Sequence, residues 1–331
     1  MKILITGSTG FVGQMLTSTL SQNSDFELRL ITRTPIDSNH TNYLIDDLSS
    51  NINWKPYLKD VDVIIHLAAH VHRMKKKEAG SYKFEEVNSV ATKHLAYQAS
   101  ESGVKRFVFL SSVKVHGDQT NPMQPFKADD LEHTSPDSKE CREFIQKRDY
   151  DSYSLSKYMA ESNLISICHQ TGMEYSIIRP PLVYGPNVKG NFEYLLSLLR
   201  KELPLPFAGI RNSRSFVFVE NLVDLIVKCT KNKAAANQAF LVSDGQDLST
   251  SELINKLVIE LKANVSLFRL PRSGFKLVAS MLGKRDIFSR LFENLEVNTE
   301  KTLNILDWEP PYTINDGLAK TAQYYLKNTK N

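Results

Sequence analysis

The chain has 331 residues and a formal charge of +4, with 41% hydrophobic and 24% charged residues. This composition predicts a folded chain of roughly two domains and excludes a disordered or low-complexity protein. The charge excess is too small for a nucleic-acid-binding protein, and no apolar run approaches the about 18 residues of a membrane span.

Short apolar runs alternate with amphipathic segments through the first half of the chain. Strands are predicted at 2–6, 27–32, 61–66, 106–111 and 174–179, and helices at 11–22, 82–102 and 152–171. This alternation predicts a parallel sheet with helices on both faces. The nearly continuous apolar character of several strands fits burial on both faces. We therefore expect an α/β fold with a Rossmann-like doubly wound parallel sheet.

The pattern becomes irregular after about residue 180, where proline-bearing segments separate shorter helices predicted at 191–201, 220–231, 249–261 and 314–327. We predict an N-terminal Rossmann domain over 1–180 and a smaller C-terminal domain for substrate over 181–331. A late strand near 239–242 would return to the main sheet. The polar, charged stretch at about 117–150 is interpreted as an insertion, either a lid or an extra helix.

A glycine-rich loop follows the first strand directly and opens the first helix. Its glycines, Gly7, Gly10 and Gly13, allow a tight turn, close approach to a pyrophosphate and close packing of the helix on the sheet. The helix N-terminus adds free N–H groups and a partial positive charge. The sequence predicts a dinucleotide site that includes Gly7, Thr9, Gly10, Phe11, Val12 and Gly13.

The end of the second strand bears on the choice of dinucleotide. NAD enzymes usually place an acidic residue there for the ribose hydroxyls, whereas this chain has Thr32 and Arg33. A guanidinium suits a 2′-phosphate, and one such contact is worth roughly 1.5–3 kcal/mol. We expect NADP(H) to be preferred, with NAD(H) still possible, and Asp47 and Leu48 to contact the adenine.

Tyr153 and Lys157 lie four residues apart, on one face of a predicted helix that follows a strand ending in Ser111 and Ser112. A free tyrosine titrates near pKa 10, and lowering this pKa to about 7 takes about 4 kcal/mol. An ammonium about 4 Å away supplies that order of energy at an effective dielectric near 20. We therefore predict that Tyr153 is an acid–base, that Lys157 lowers its pKa and that Ser112 holds a substrate oxygen.

These motifs resemble those of the extended short-chain dehydrogenases/reductases in the NAD-dependent epimerase/dehydratase family, and within it a UDP-glucose 4-epimerase-like subgroup. The resemblance covers nearly the whole chain and also rests on the segments 66–69, 87–89 and 179–186. It implies a cofactor site that also contains Leu67, Ala68, Ala69, Asn88, Ser111, Pro180 and Val183, with Tyr153 and Lys157 touching the cofactor as well.

The resemblance further implies that the second domain binds a UDP-sugar. Asn191 would contact the nucleotide and Arg214 the diphosphate, with Arg285 a weaker candidate for a second diphosphate contact, in competition with Arg290. Lys114 would contact the sugar or the diphosphate, unless it is simply solvated. Members of the family often dimerise through the helices that correspond to 82–102 and 152–171, so a homodimer is expected.

The residues after Ser112 bear on the reaction. Family 4,6-dehydratases carry an Asp–Glu pair there, and this chain has Val113 and Lys114 instead, which excludes dehydration. Arg33 favours NADPH and therefore reduction. The resembled subgroup includes 4-reductases of UDP-4-keto-6-deoxy-N-acetylhexosamines, which implies reduction of such a sugar for surface polysaccharides, with hydride delivered to C4 and Tyr153 protonating O4. A UDP-sugar (glucose or N-acetylglucosamine) 4-epimerase is the alternative, and a non-catalytic NADP sensor is a third reading.

Other features point to location and to the absence of a metal. Three scattered cysteines favour a reducing compartment over disulfides or zinc, so a cytoplasmic protein is expected. His66, His70 and His72 lack carboxylate or cysteine neighbours, so no metal site is predicted.

The basic run at 73–77 either steers an anionic substrate or is a solvated loop. The segment between Ser112 and Tyr153 is longer than usual for the family, and the excess falls in 139–149.

Overall fold

A parallel sheet forms the centre of the computed structural model, which describes residues 1–70, 81–148, 150–271, 273–275 and 291–329. Its strands are β1 Lys2–Thr6, β2 Glu27–Thr32, β3 Thr41–Leu44, β4 Val63–His66, β5 Arg106–Leu110, β6 Glu174–Arg179 and β9 Gln238–Leu241. In the described residues they form one seven-stranded sheet in the order β3-β2-β1-β4-β5-β6-β9, and each neighbouring pair is parallel. The predicted fold class is confirmed.

The helices are α1 Phe11–Ser21, α2 Lys55–Leu58, α3 Ser81–Phe84, α4 Ala91–Glu101, α5 Lys139–Gln146, α6 Ser152–Thr171, α7 Asn191–Leu199, α8 Val219–Lys231, α9 Thr250–Glu260, α10 Glu300–Leu306 and α11 Ile314–Asn328. The segment predicted as one helix over 82–102 is divided, because a π-helical turn at Glu85–Val90 separates α3 from α4. In the part of the chain that the structure describes, no helix is long and apolar enough to cross a membrane.

Side chains from the sheet fill a core on each of its faces. Leu4 and Ile64 belong to one core, with residues of α4 and α6, whereas Ile5 and Ile65 belong to the other, with residues of α1 and α8. All four are fully buried. Successive strand residues point to opposite faces, so burial on both faces requires the continuous apolar runs seen in the sequence.

A third core lies in the C-terminal part of the chain. Two short parallel strands, β7 Leu182–Tyr184 and β8 Phe216–Phe218, form a separate sheet. Apolar side chains of α7, α9 and α11 pack around it. From this region the chain returns to the central sheet, where β9 pairs with β6.

The insertion packs on helix α6. It contains α5, and the rings of Phe144 and Tyr150 stack against Tyr158 of α6 with centroids 5.0 and 5.8 Å away. His133 stacks on the same tyrosine at 4.9 Å. The extra length between Ser112 and Tyr153 therefore includes an additional helix that is fixed to α6.

A buried ion pair joins α6 to the end of β6. Arg179 Nη2 lies 2.7 Å from Glu161 Oε2, with 1% and 0% of the two side chains exposed. Arg179 Nη1 also donates to His116 Nε2 at 3.0 Å and to the Ala128 carbonyl at 2.9 Å. Burial alone would raise the pKa of Glu161, but Arg179 and His133 hold this pKa well below its usual range. Burial and the Arg179 charge lower the pKa of His116 to about 3, so His116 accepts as a neutral ring.

Replacing Glu161 with glutamine should cost about 3–5 kcal/mol of unfolding free energy, because the Arg179 charge then stays buried without its counter-ion. Equilibrium urea unfolding measures this loss. Glu143→Gln is the matched control, since Glu143 forms an exposed pair with Lys139 on α5 and should change the unfolding free energy by under about 0.5 kcal/mol. Equal effects of the two substitutions would contradict a structural role for the buried pair.

Candidate active site

A cavity of ≈ 520 Å³ opens at the carboxyl edge of the central sheet. Predicted cofactor residues that line it are Gly7, Thr9, Gly10, Arg33, Asp47, Leu48, Leu67, Ala68 and Ala69. The carboxyl edge of a doubly wound sheet is where such folds bind ligands, because parallel strands bring their following loops together there. The structure therefore gathers half of the predicted cofactor residues around one cavity.

The glycine loop has no room for side chains at two of its positions. A Cβ at Gly7, where φ is +77°, would lie 2.7 Å from the Ala68 nitrogen, and one at Gly13 would lie 2.1 Å from the Gly7 carbonyl oxygen. Gly10 caps α1 without a side-chain hydrogen bond, which leaves first-turn N–H groups for an anion. Ser8 Oγ is buried without a hydrogen-bond partner among the described residues. These features fit the pyrophosphate of a dinucleotide.

The other predicted cofactor residues do not line this cavity. Phe11 and Val12 begin α1 and pack against the C-terminal core, as does Val183 of β7. The Pro180 carbonyl accepts a hydrogen bond from the Val113 nitrogen at 2.9 Å. Ser111 Oγ is buried and has no hydrogen-bond partner in the described part of the chain.

Asn88 braces the loop after β4 against α6. Its side-chain oxygen accepts from the His70 nitrogen at 2.6 Å, and its Nδ2 donates to the His70 carbonyl and to Ser156 Oγ, each at 3.0 Å. Asn88 lies in the π-helical turn, a type of turn that is frequent at functional sites. Its amide group therefore fixes the residue next to Lys157.

Arg33 lies beside a carboxylate at the cavity rim. Its Nη1 is 3.6 Å from Asp47 Oδ1, and both side chains are about half exposed or more. Asp47 Oδ1 also accepts from the Leu48 nitrogen at 2.9 Å. The sequence places no acidic residue at the end of β2, yet the segment after β3 brings Asp47 beside Arg33. The Arg33 guanidinium is therefore paired with the negative charge of Asp47.

Ser112 and Tyr153 come together across the cleft. The Ser112 side chain is near enough to Tyr153 to work against the rise in its pKa, and the Tyr153 ring packs edge-on against Phe84 at 6.3 Å between centroids. Asp151 fixes the start of α6 because its Oδ1 accepts from the Ser154 nitrogen at 2.7 Å. The helix start therefore places Tyr153 opposite the turn that carries Ser112.

The predicted lowering of the Tyr153 pKa by Lys157 stays a prediction, and in this structure the lysine makes its contacts elsewhere. Lys157 Nζ donates to the Leu110 carbonyl at 2.7 Å and lies 4.1 Å from the centre of the Phe109 ring. Burial raises the pKa of Tyr153 to about 12, and the charge of Asp151 adds to this rise. Burial also lowers the pKa of Lys157 to about 7. Both side chains are thus shifted toward their uncharged forms.

Of the predicted substrate residues, Lys114 lies in the short helical turn Val113–Val115 after Ser112. Asn191 begins α7, and Arg214 donates from Nη1 to the Glu293 carbonyl at 2.9 Å. Lys114 Nζ contacts Asp118 Oδ1 at 2.7 Å and Asp151 Oδ2 at 3.2 Å. Outside the described residues lie Arg285, its competitor Arg290, His72 and the basic run at 73–77.

Sequence reasoning missed Asp151 and Phe84 as neighbours of Tyr153. Asp151 carried a usable signal, because an aspartate directly before a helical segment is a common N-cap. Phe84 carried none, since its approach to Tyr153 depends on how α3 packs against α6.

Comparisons with known proteins agree with this geometry. The model of the NAD dependent epimerase/dehydratase family matches residues 3–243. The chain belongs to this family. Within the family, a UDP-glucose 4-epimerase of Vibrio cholerae is 41% identical over 328 residues, which cover 98% of this chain and 95% of the relative. The predicted family is therefore confirmed.

More distant relatives extend the comparison. An N-acetyl-alpha-D-glucosaminyl-diphospho-ditrans,octacis-undecaprenol 4-epimerase of Escherichia coli O157:H7 is 24% identical, over 99% of this chain and 96% of that protein. Among solved structures, the UDP-glucuronic acid 4-epimerase of Bacillus cereus in complex with NAD has a TM-score of 0.76 at 19% identity, with both chains fully covered. At this identity the structural likeness shows the shared fold.

Alanine substitutions should separate the roles of two glycines. Gly13→Ala should lower both thermal stability and NAD affinity, because its Cβ collides with the Gly7 carbonyl oxygen. At Gly10 the backbone is extended and a Cβ would meet that oxygen only at 3.2 Å. Gly10→Ala should therefore keep stability within about 1 kcal/mol while NAD affinity falls at least about tenfold, since Gly10 lines the cavity.

Thermal denaturation and calorimetric titration with NAD measure the two effects. Wild-type NAD affinity in both variants would contradict the placement of the dinucleotide on this loop.

Proposed function

We propose that this protein is a UDP-sugar 4-epimerase that works with NAD, with UDP-glucose and UDP-galactose as the first pair to test. The observation that carries the proposal is the 41% identity to the Vibrio cholerae UDP-glucose 4-epimerase across 98% of the chain. The closeness of Ser112 to Tyr153 and the Val113–Lys114 sequence in place of an acidic pair support chemistry at C4 without water elimination. The 4-keto reductase expected from the sequence has no comparable support from the relatives named above.

The surroundings of Arg33 favour NAD over NADP. The expectation of NADP depends on a guanidinium that is available to a 2′-phosphate, but Asp47 lies 3.6 Å from it. A phosphate placed on Arg33 would meet this carboxylate, and like charges repel. A ribose hydroxyl, by contrast, can donate a hydrogen bond to Asp47. We therefore propose NAD(H) as the cofactor.

The chain's own residues would manage the proton at O4 of the sugar. As the phenolate, Tyr153 would accept this proton at Oη during oxidation at C4 and, as the phenol, would return it after the sugar has presented its other face. Ser112, which lies near Tyr153, hydrogen-bonds O4 and keeps it within reach. The glycine loop would hold NAD, which would supply the hydride chemistry at C4.

The other expectations belong to this proposal. Asn191 and Arg214 would bind the nucleotide and the diphosphate, and Ser111, Asn88, Pro180 and Val183 would lie near the nicotinamide end. A homodimer and a cytoplasmic location stay predictions, as does a role in surface polysaccharide synthesis.

The proposal predicts that the purified protein interconverts UDP-glucose and UDP-galactose without net consumption of nicotinamide cofactor. Tyr153→Phe should lower turnover at least about 100-fold and leave NAD binding intact, because only the hydroxyl is lost. Tyr97→Phe removes the same group from an exposed position on α4 and should keep full activity. Chromatography of the sugar nucleotides and absorbance at 340 nm measure the two processes.

Stoichiometric oxidation of NADPH by a UDP-4-keto-6-deoxy sugar, with no exchange of C4 epimers, would make the protein a reductase and overturn the proposal.

Asp47→Ala should raise the affinity for NADPH relative to NADH by about tenfold, because Arg33 then faces a 2′-phosphate without a competing carboxylate. Asp46→Ala is the matched control, since it removes the same charge one residue earlier from a side chain that does not line the cavity. Fluorescence titration with the two reduced cofactors gives the ratio. An unchanged ratio in Asp47→Ala would show that the carboxylate does not set the preference.

A further inference from the structure

An ion pair that the mechanism above does not use joins the two catalytic elements. Lys114 follows Ser112 by two residues, and Asp151 precedes Tyr153 by two. Lys114 Nζ donates to Asp151 Oδ2 at 3.2 Å and also lies 2.7 Å from Asp118 Oδ1. The pair therefore bridges the turn of the serine and the helix of the tyrosine.

Asp151 uses its two oxygens for different contacts. Oδ1 accepts from the Ser154 nitrogen and caps α6, while Oδ2 faces Lys114. The side chains of Lys114 and Asp151 are 29% and 38% exposed, so solvent screens their interaction less than that of an open surface pair. Burial works to raise the pKa of Asp151, but the bonds from Ser154 and Lys114 keep this pKa below its usual value.

We propose that Lys114 and Asp151 are positioning residues: their ion pair holds Ser112 against Tyr153, and Lys114 balances the negative charge of Asp151 beside the tyrosine hydroxyl. The activity test of this inference rests on the proposed C4 function. In this proposal Lys114 has a structural role within the site, in addition to the substrate contact expected from the sequence.

The groups around Tyr153 show why the compensation of the Asp151 charge by Lys114 matters. Ser112 faces it from the turn after β5, the Phe84 ring from α3 and Asp151 from the start of its own helix. Lys157, one turn further along α6, is directed to the Leu110 carbonyl. Asp151 therefore contributes the unfavourable charge at the tyrosine.

Lys114 contacts this carboxylate and also that of Asp118, which follows it by four residues. Removing the Lys114 charge leaves the carboxylate uncompensated, so the phenolate form of Tyr153 becomes harder to reach. Removing the Asp151 charge has the opposite effect. The two substitutions should therefore shift the pKa of Tyr153 in opposite directions.

The test is the pH dependence of kcat for Lys114→Met, Asp151→Asn and the double variant. The acidic limb reports the loss of the Tyr153 proton, and we expect it to move to higher pH by about 0.5–1 unit in Lys114→Met and to lower pH by a similar amount in Asp151→Asn. Asparagine still caps a helix, so α6 keeps its start. The double variant should return the limb to near its wild-type position, with a reduced plateau in kcat.

Two further variants separate this role from a general effect. Lys114→Arg keeps the charge and should restore most of kcat. Lys139→Met removes a lysine that pairs with Glu143 on the exposed side of α5 and should leave the profile unchanged. A higher KM for the UDP-sugar in Lys114→Met, with kcat and the acidic limb unchanged, would overturn the proposal in favour of a substrate contact alone. Shifts of both single variants in one direction would also overturn it.

A second measurement does not depend on the proposed reaction. In protein labelled with ¹³C at tyrosine Cζ, the Tyr153 resonance is assigned by its loss in Tyr153→Phe, and its titration is compared between wild type, Lys114→Met and Asp151→Asn. Opposite shifts of its midpoint support the positioning role even if no epimerase activity is found, in which case only the proposed function fails. Identical midpoints in all three proteins would overturn the inference.

Discussion

A buried ion pair between Glu161 and Arg179 fixes helix α6 against the end of strand β6. Glu161 is about two turns along α6 from Tyr153, and Arg179 is the last residue of β6. Directly after it, the Pro180 carbonyl accepts a hydrogen bond from Val113, so the same strand end fixes the turn of Ser112. Either charge left unpaired in the core would cost several kcal/mol of folding free energy. The pair therefore favours one arrangement of α6, β6 and the turn after Ser112.

Burial also shifts the pKa values of Tyr153 and Lys157, two titratable side chains on α6. The pKa of Tyr153 is raised and the pKa of Lys157 is lowered, and in both cases loss of solvent is the main cause. Water screens charges poorly in such a place, so a single nearby charge has a large influence on either group. The protonation of Tyr153 is therefore sensitive to nearby charges, and the charge of Asp151 raises its pKa further.

Local patterns were sufficient for the central strands, the glycine loop and the helix of Tyr153, because burial on both faces and tight turns restrict the residues allowed at each position. Contacts between distant segments were not accessible in this way. The sequence predicts an unopposed Arg33, but the segment after β3 places Asp47 beside it. Helical spacing puts Lys157 on the face of Tyr153, but it does not fix the direction of a long side chain, which turns to Leu110.

The π-helical turn between α3 and α4 has a consequence for the faces of this segment. An α-helix turns by about 100° per residue, and a π-helical turn accommodates one residue more than an α-helical turn does. The stripe of side chains before Glu85–Val90 is thus out of phase with the stripe after it, which allows Phe84 to meet Tyr153 while Leu95 enters the core beneath the sheet. Deleting a single residue here would bring both stripes into one phase, and only one of the two contacts would survive.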